Sequence, residues 1–372
     1  MTEIRVYGDC RRQQSKSYAK MHAFLCNIAV LVCLAMLGSC TIAAAAPTSD
    51  NPTAEATNDI VFGDYSALAG SNEIIRRMLS PLAVAKIPSA LARTHMQLAE
   101  QSVHLTDERF VLYVPQSPPP TGFGLLVFVP PWNQAEVPPS WLRVLDQFGL
   151  IFVSAARSGN DQSVIGRRVP LALEGEYNVA ARYRLDPQRI YIAGFSGGSR
   201  AALRIALAYP DVFRGAILDA GGDPIGESDF PLPPRELFFR AQETMHVVFV
   251  AGDHDLQPAM RDRASMRSLM DWCISNVDSY TEPFLAHELM TAAALSRALS
   301  FLAAPSHTDP TNLSNCRSRI EENLDSQLKR TESMMKAGDH DEAHEKLLEI
   351  DAKFGGLAAP ESVELLKSLE LP

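Results

Sequence analysis

Short apolar runs alternate with longer amphipathic segments through the middle of the chain, from about residue 102 to residue 304. Continuous apolar runs are typical of strands buried on both faces of a parallel sheet, whereas apolar positions spaced three or four apart predict helices. The runs predict strands at 102–106, 109–114, 124–129, 150–154, 189–194, 213–218, 246–251 and 277–281. Helices are predicted near 141–148, 163–183, 197–209, 257–275 and 290–303. This alternation indicates an α/β fold, a mostly parallel sheet with helices on both faces.

The first 46 residues have the pattern of an export signal. A basic segment precedes an apolar run at 23–37, and small residues follow. The most apolar part, 28–37, is shorter than the roughly 20 residues that span a bilayer. The sequence offers two alternative cleavage sites for this signal. The alanines at 43–46 suit a signal peptidase, whereas Leu37-Gly38-Ser39-Cys40 resembles a lipobox, in which Cys40 carries a lipid anchor. We therefore expect an exported protein that is periplasmic, secreted or a membrane-anchored lipoprotein.

The segments on either side of the α/β region differ from it in pattern. Residues 47–70 are rich in Ser, Thr, Asn, Asp and Ala, which predicts a flexible linker before a main domain at 71–305. Residues 306–372 predict a C-terminal helical hairpin that turns at Gly338, with apolar faces at Ile320, Leu324, Leu328, Ala343, Leu347 and Ile350. It resembles a single tetratricopeptide-type repeat, which cannot bury its own apolar face. We expect it to pack on the main domain or on a protein partner.

Composition and charge narrow the classes of protein. Of 372 residues, 46% are hydrophobic and 21% charged, which excludes a disordered chain. The formal net charge of -10 argues against nucleic acid as the main partner. Four of the six cysteines lie in the export segment, and Cys273 and Cys316 remain. A disulfide formed in an oxidising compartment and a pair of buried thiols both fit this count.

The strongest chemical signal is Gly194-Phe195-Ser196-Gly197-Gly198, a G-x-S-x-G sequence between a predicted strand and a predicted helix. A glycine-rich turn with no catalytic role can contain the same sequence. The strand–turn–helix context favours a nucleophile elbow, in which a sharp turn projects the serine hydroxyl clear of the sheet. Ser196 is therefore the predicted nucleophile.

A serine nucleophile needs a base that is oriented by an acid, and in this architecture the chain order is serine, acid, histidine. The strand at 246–251 ends in Gly252-Asp253-His254-Asp255. We predict Asp255 as the acid, with Asp253 as the alternative. His287 follows the last predicted strand and precedes the helix at 291–302, so it is the predicted base.

These three motifs, in this order, resemble the α/β-hydrolases. The blocks at 109–115 (RFVLYVP) and 208–215 (AYPDVFRG) are similar to the polyhydroxybutyrate-depolymerase and feruloyl-esterase branch, and the resemblance covers about residues 102–304. It implies hydrolysis of a carboxylic ester, small-molecule or polymeric, through an acyl-enzyme. In it, Ser196 attacks, His287 moves the proton and Asp255 orients the imidazole. No metal or organic cofactor is implied.

One segment departs from that branch. Acyl transfer uses N–H donors aimed at the oxyanion, and Gly197 can supply the first. The loop expected to supply the second usually begins with His-Gly in this branch, but here Val129 is followed by Pro130-Pro131-Trp132-Asn133. Prolines have no N–H, so Trp132 is the predicted donor, with Asn133 or a side chain as alternatives. The Pro-Pro loop favours an alternative to the esterase, a catalytically weak or inactive binding protein of this fold. A serine peptidase of the same fold is a further alternative.

Overall fold

An eight-stranded sheet forms the centre of the computed structural model, which describes residues 56–306 and 308–370. The strands are β1 Thr57–Ile60, β2 Phe110–Tyr113, β3 Phe123–Val129, β4 Leu150–Ala155, β5 Leu185–Phe195, β6 Gly215–Asp219, β7 His246–Gly252 and β8 Val277–Glu282. Their order in the sheet is β1-β2-β4-β3-β5-β6-β7-β8, and β2 runs antiparallel to both its neighbours while all later pairs are parallel. The predicted export signal and Cys40 lie outside the described residues.

Helices cover both faces of the sheet. They are α1 Ser71–Met78, α2 Pro81–Thr94, α3 Leu142–Phe148, α4 Val169–Arg182, α5 Gly197–Ala208, α6 Arg235–Thr244, α7 Leu256–Asp271, α8 Ala292–Leu302, α9 Pro310–Ala337, α10 His340–Phe354 and α11 Glu361–Glu370. Along β3, Leu125 and Val127 belong to the core shared with α4 and α5, whereas Leu126 and Phe128 belong to the core shared with α3 and α8. Burial on both faces explains why these strands are continuous apolar runs. None of the described helices is both long and apolar enough to cross a membrane.

This architecture confirms the predicted α/β-hydrolase fold, and seven of the predicted strands match β2 to β8 closely. The eighth prediction, a strand at 102–106, is wrong. Those residues lead into a short 3-10 turn at Leu105–Asp107, with Val103 and Leu105 buried. Both edges of β2 are already paired, with β1 and with β4, so residues 102–106 cannot pair with β2 as the other strand of a hairpin.

The prediction of a flexible linker at 47–70 is wrong for its described part, residues 56–70. β1 pairs with β2, and Phe62 is 1% exposed, with its ring centroid 4.7 Å from that of Phe110. Polar side chains of α4 hold the following residues: Ser66 N donates to Glu174 Oε2 at 2.9 Å, and Asn178 Nδ2 donates to the Asp64 carbonyl at 2.7 Å. Contacts with β2 and α4, which are distant along the chain, hold the segment in place. Its polar composition does not indicate such contacts.

Residues 308–370, the described part of the C-terminal region after Ser306, form three helices rather than the predicted two. Besides α9 and α10, α11 packs with α10 on α2 through the buried side chains of Leu82, Leu347 and Leu366. Asp351 on α10 accepts hydrogen bonds from Ser80 Oγ and from Leu82 N. The apolar face of the tail is therefore buried against the main domain, and all described residues belong to one compact unit.

A disulfide joins the tail to the α/β region. Cys273, just after α7, is bonded to Cys316 on α9, with 5.9 Å between the two Cα atoms. Arg317, the next residue on α9, donates to Gln242 Oε1 and to the Phe239 carbonyl on α6. Of the two states that the cysteine count allowed, the structure contains the disulfide.

Candidate active site

Ser196 lies at a strained turn between β5 and α5, with φ 54° and ψ -118°. A positive φ is unfavourable for a residue that carries a Cβ, and strained residues of this kind cluster at functional sites. The turn is fixed from outside by the hydrogen bond from Ser196 N to the Asp219 carbonyl at the end of β6, 2.7 Å. This geometry corresponds to the predicted nucleophile elbow.

The glycines of the elbow let three chain segments approach one another. A Cβ on Gly194 would lie 2.3 Å from the carbonyl carbon of Gly198, so strand and helix could not meet. A Cβ on Gly198 would lie 1.9 Å from the Val129 carbonyl oxygen at the end of β3. Both contacts are with backbone, which cannot move aside as a flexible side chain can. The spacing of glycines in the motif is thus a packing requirement.

His287 lies in the loop between β8 and α8, and hydrogen bonds to the ends of three strands hold that loop. Thr291 N donates to Glu282 Oε2 at 3.0 Å, Met290 N to Asp219 Oδ2 at 2.8 Å, and His254 N to the Leu285 carbonyl at 3.1 Å. Asp219 is 1% exposed, and burial raises the pKa of its carboxyl well above the usual range. The loop is therefore anchored to the carboxyl ends of β6, β7 and β8.

The three predicted side chains meet at the carboxyl edge of the sheet. His287 Nδ1 lies 2.6 Å from Asp255 Oδ2, and His287 Nε2 lies 2.9 Å from Ser196 Oγ. Asp255 is 8% exposed, whereas the His287 side chain is 46% exposed. With the ring proton on Nδ1, the imidazole donates to Asp255 and accepts from the Ser196 hydroxyl. Such a chain can remove the serine proton as the oxygen attacks an electrophilic carbon.

The alternative acid, Asp253, occupies a different position. Its carboxylate is 40% exposed and lies 3.8 Å from His254 Nε2, on the solvent side of the same turn. Asp255 is two residues further on, directly before α7, where the chain has turned toward His287. Of the two carboxylates that the sequence left open, the structure brings Asp255 to the imidazole.

The predicted oxyanion donors lie on two adjoining segments. Gly197 is the first residue of α5, and Trp132 follows the end of β3, which contacts Gly198. Neither backbone N–H donates to another group among the described residues. The Asn133 side chain is occupied, since its Oδ1 accepts from Gly159 N at 3.0 Å and its Nδ2 donates to Asp161. Among the described residues the Trp132 N–H is therefore available as the second donor, whereas the Asn133 side chain is already hydrogen-bonded.

A row of aromatic rings in mutual contact lies beside His287. The ring centroids of Phe195 and His287 are 4.9 Å apart, and those of Phe195 and Trp132 are 6.1 Å apart. Trp132 also contacts Phe128 of β3, at 6.3 Å. Trp141, directly before α3, is fully buried and its Nε1 donates to the Met290 carbonyl, so it supports the loop that carries His287.

Sequence reasoning missed the residues that hold the loop after β3. Asn160 N donates to the Pro131 carbonyl at 3.0 Å, Arg157 N donates to the Asn133 carbonyl at 2.7 Å, and Arg168 donates to the Pro130 carbonyl at 2.9 Å. All three donors follow β4, and no motif in the sequence marks them. In the described parts of the chain, no three His, Cys, Asp or Glu side chains are grouped to hold a metal ion.

Comparisons with known proteins agree with the sequence resemblance. The chain is 27% identical over 99 residues to a poly(3-hydroxybutyrate) depolymerase from Ralstonia pickettii, covering 23% of this chain and 20% of that one. It is 44% identical over 45 residues to poly(3-hydroxyalkanoate) depolymerase C from Paucimonas lemoignei, covering 12% and 11%. The chain thus matches about a fifth or less of the length of these relatives. The resemblance to this branch is confirmed over these short segments.

Other comparisons are more distant. No family model matches the chain. Among solved structures, an S-formylglutathione hydrolase from Staphylococcus aureus aligns with a TM-score of 0.42 and 11% identity, covering 53% of this chain and 93% of that one.

Proposed function

We propose that this protein is an exported serine hydrolase that cleaves carboxylic esters through an acyl-enzyme. The observation that carries the proposal is the hydrogen-bonded chain from Ser196 through His287 to Asp255, built on a strained elbow at the carboxyl edge of the sheet. An unperturbed serine hydroxyl is a weak nucleophile, and this arrangement is one that activates it. The names of the depolymerases that the chain resembles support an ester as substrate.

In the proposed reaction, Ser196 Oγ attacks the ester carbonyl carbon while His287 Nε2 accepts the hydroxyl proton. The carbonyl oxygen becomes an oxyanion, which the N–H groups of Gly197 and Trp132 stabilise. The tetrahedral intermediate expels the alcohol, which takes the proton from His287 and leaves an acyl-serine. Water then attacks in the same way, His287 again accepts and returns a proton, and the carboxylic acid leaves with Ser196 restored. Asp255 holds the imidazole in the required tautomer throughout.

Export is part of the proposal. The signal-like pattern of residues 1–46 supports it, and so does the Cys273–Cys316 disulfide, since such bonds persist in oxidising compartments. Cys40 would anchor the protein through a lipid if the lipobox-like sequence is processed. A polymeric ester and a small-molecule ester both fit a histidine that is half exposed at the protein surface.

The test is covalent labelling of the purified protein by a fluorophosphonate, which reacts with activated serines. We expect the wild type to be labelled and the Ser196→Ala variant to be unlabelled. Ser300→Ala is the matched control, because Ser300 is exposed on α8 and donates only to the Ser296 carbonyl. A folded wild type that is not labelled would refute the serine hydrolase and favour a binding protein of this fold.

Paired chromogenic esters and amides with the same acyl group separate the esterase from the peptidase. We expect ester turnover in the wild type, lost in Ser196→Ala, with amide turnover far slower. Comparable turnover of the amides would favour the peptidase. Export is tested separately, by locating the protein in fractionated cells and by the mass of its mature N-terminus, which distinguishes cleavage near residue 46 from lipidation of Cys40.

A further inference from the structure

Arg168 is a buried cation directly behind the elbow. It ends the short helical turn Val164–Arg168 that leads into α4, and it is 3% exposed. Within the described residues no carboxylate forms a salt bridge with it, Asp161 acts on it only at longer range, and its Nε has no hydrogen-bond partner. A buried charge without a direct ion pair is costly, so a residue of this kind needs an explanation beyond packing.

The guanidinium of Arg168 bridges two segments. Its Nη1 donates to the Gly197 carbonyl at 3.2 Å, and its Nη2 donates to the Pro130 carbonyl at 2.9 Å. Gly197 is one predicted oxyanion donor, and Pro130 lies two residues before Trp132, the other. Because a guanidinium is planar, with its donors in a fixed fork, the two bonds set the distance between the elbow and the loop after β3.

The loop also touches the elbow through the Trp132 ring, whose centroid lies 6.1 Å from that of the Phe195 ring, but its other hydrogen bonds go elsewhere. The backbone N–H groups of Asn160 and Arg157 tie Pro131 and Asn133 to the segment after β4, and the Asn160 side chain packs against Gly197 without a hydrogen bond to it. Among the described hydrogen bonds, those of Arg168 are the ones that join the loop to α5. Burial lowers the pKa of Arg168 to about 10, so the side chain still carries its positive charge at neutral pH.

We propose that Arg168 is a positioning residue for the oxyanion site: it holds the Gly197 and Trp132 segments in register, and its buried charge favours the negative oxygen that develops between them. The proposal rests on the serine hydrolase function above. It also accounts for the Pro-Pro sequence, because a loop with no N–H groups at 130 and 131 needs an external donor to fix its position. An arginine that acts in this way changes transition-state binding more than substrate binding.

The experiment measures kcat and KM for a p-nitrophenyl ester in wild type, Arg168→Lys and Arg168→Met. Removal of one oxyanion donor lowers turnover by about 10²–10³-fold. We therefore expect Arg168→Met to lose about 10²-fold in kcat with KM nearly unchanged. Arg168→Lys keeps the charge but not the fork, and we expect a loss of about 10-fold.

Inhibition by phenylboronic acid, which forms a tetrahedral anionic adduct with an activated serine, gives a second readout. We expect its Ki to rise in each variant by the factor by which kcat/KM falls, while inhibition by the product carboxylate stays unchanged. Arg204→Met is the matched control. Arg204 is a half-buried arginine on α5, stacked 5.0 Å from the Phe230 ring centroid, and we expect that variant to keep its kcat.

The outcomes separate this inference from the function on which it rests. A wild type that neither turns over esters nor binds the boronic acid overturns both. An active wild type with full kcat in Arg168→Lys, or with equal losses in Arg168→Met and Arg204→Met, overturns only the role of Arg168. The positioning role of Arg168 is supported if kcat falls and the boronic acid Ki rises by a similar factor in the Arg168 variants. The thermal midpoint of Arg168→Lys should then equal that of the wild type.

Discussion

The disulfide between Cys273 and Cys316 offers a quantitative test of how the helical tail is held. It closes a loop of 43 residues between the end of α7 and the first half of α9. In the chain-entropy description, a loop of that length removes about 13 cal/mol/K from the unfolded chain, or about 4 kcal/mol at 25 °C. We expect the double variant Cys273→Ser/Cys316→Ser to be less stable than the oxidised wild type by about that amount.

Guanidinium chloride unfolding followed by tryptophan fluorescence measures this difference. Trp272 is adjacent to Cys273, is 9% exposed and contacts the ring of Phe354 on α10, so it reports on the junction with the tail. The hydrogen bonds of Arg317 to α6 remain in the variant, and we therefore expect a weakened junction rather than a detached tail.

A reducing agent provides the matched control. It should destabilise the wild type by the same amount as the double substitution and leave the double variant unchanged. If the double variant is within about 1 kcal/mol of the oxidised wild type, the argument from loop closure is refuted. Ester turnover at low denaturant should be unaffected, because neither cysteine contacts the Ser196–His287–Asp255 chain.

Three further predictions concern the site and its support. Asp255→Asn should lower kcat by about 10⁴-fold, since the amide favours the wrong imidazole tautomer, while Asp253→Asn should stay near wild type in the same ester assay. Gly198→Ala should abolish activity and lower the thermal midpoint, because its Cβ would meet a backbone carbonyl at 1.9 Å; wild-type activity in this variant would contradict the packing argument. Burial raises the pKa of Glu174 to about 7, whereas in the unfolded chain it is about 4.5, so the free energy of unfolding should fall as the pH rises from about 4.5 to 7. Chemical unfolding measures this, and Glu174→Gln should flatten that part of the curve of stability against pH.

Periodicity predicted most of the sheet because its central strands are buried on both faces. A strand buried on both faces is a continuous apolar run, as in β3 and β7, so it can be recognised from its own residues without knowledge of the strands it pairs with. β1 escaped prediction because its residues, Thr57–Ile60, are mostly exposed and polar. β1 joins the sheet by pairing with β2, which is about 50 residues away along the chain.

Ser196, Asp255 and His287 can be identified as candidates without a structure, because the elbow is a local motif and the order of its partners follows from the chain path. The sequence left Asp253 open, since two carboxylates in one turn differ only in where that turn points. In the folded protein that turn directs Asp255 to the imidazole, and the role proposed for Arg168 is visible only there. A buried arginine bonded to two distant carbonyls leaves no periodic or motif signal, because both its partners are backbone atoms that any residue would supply.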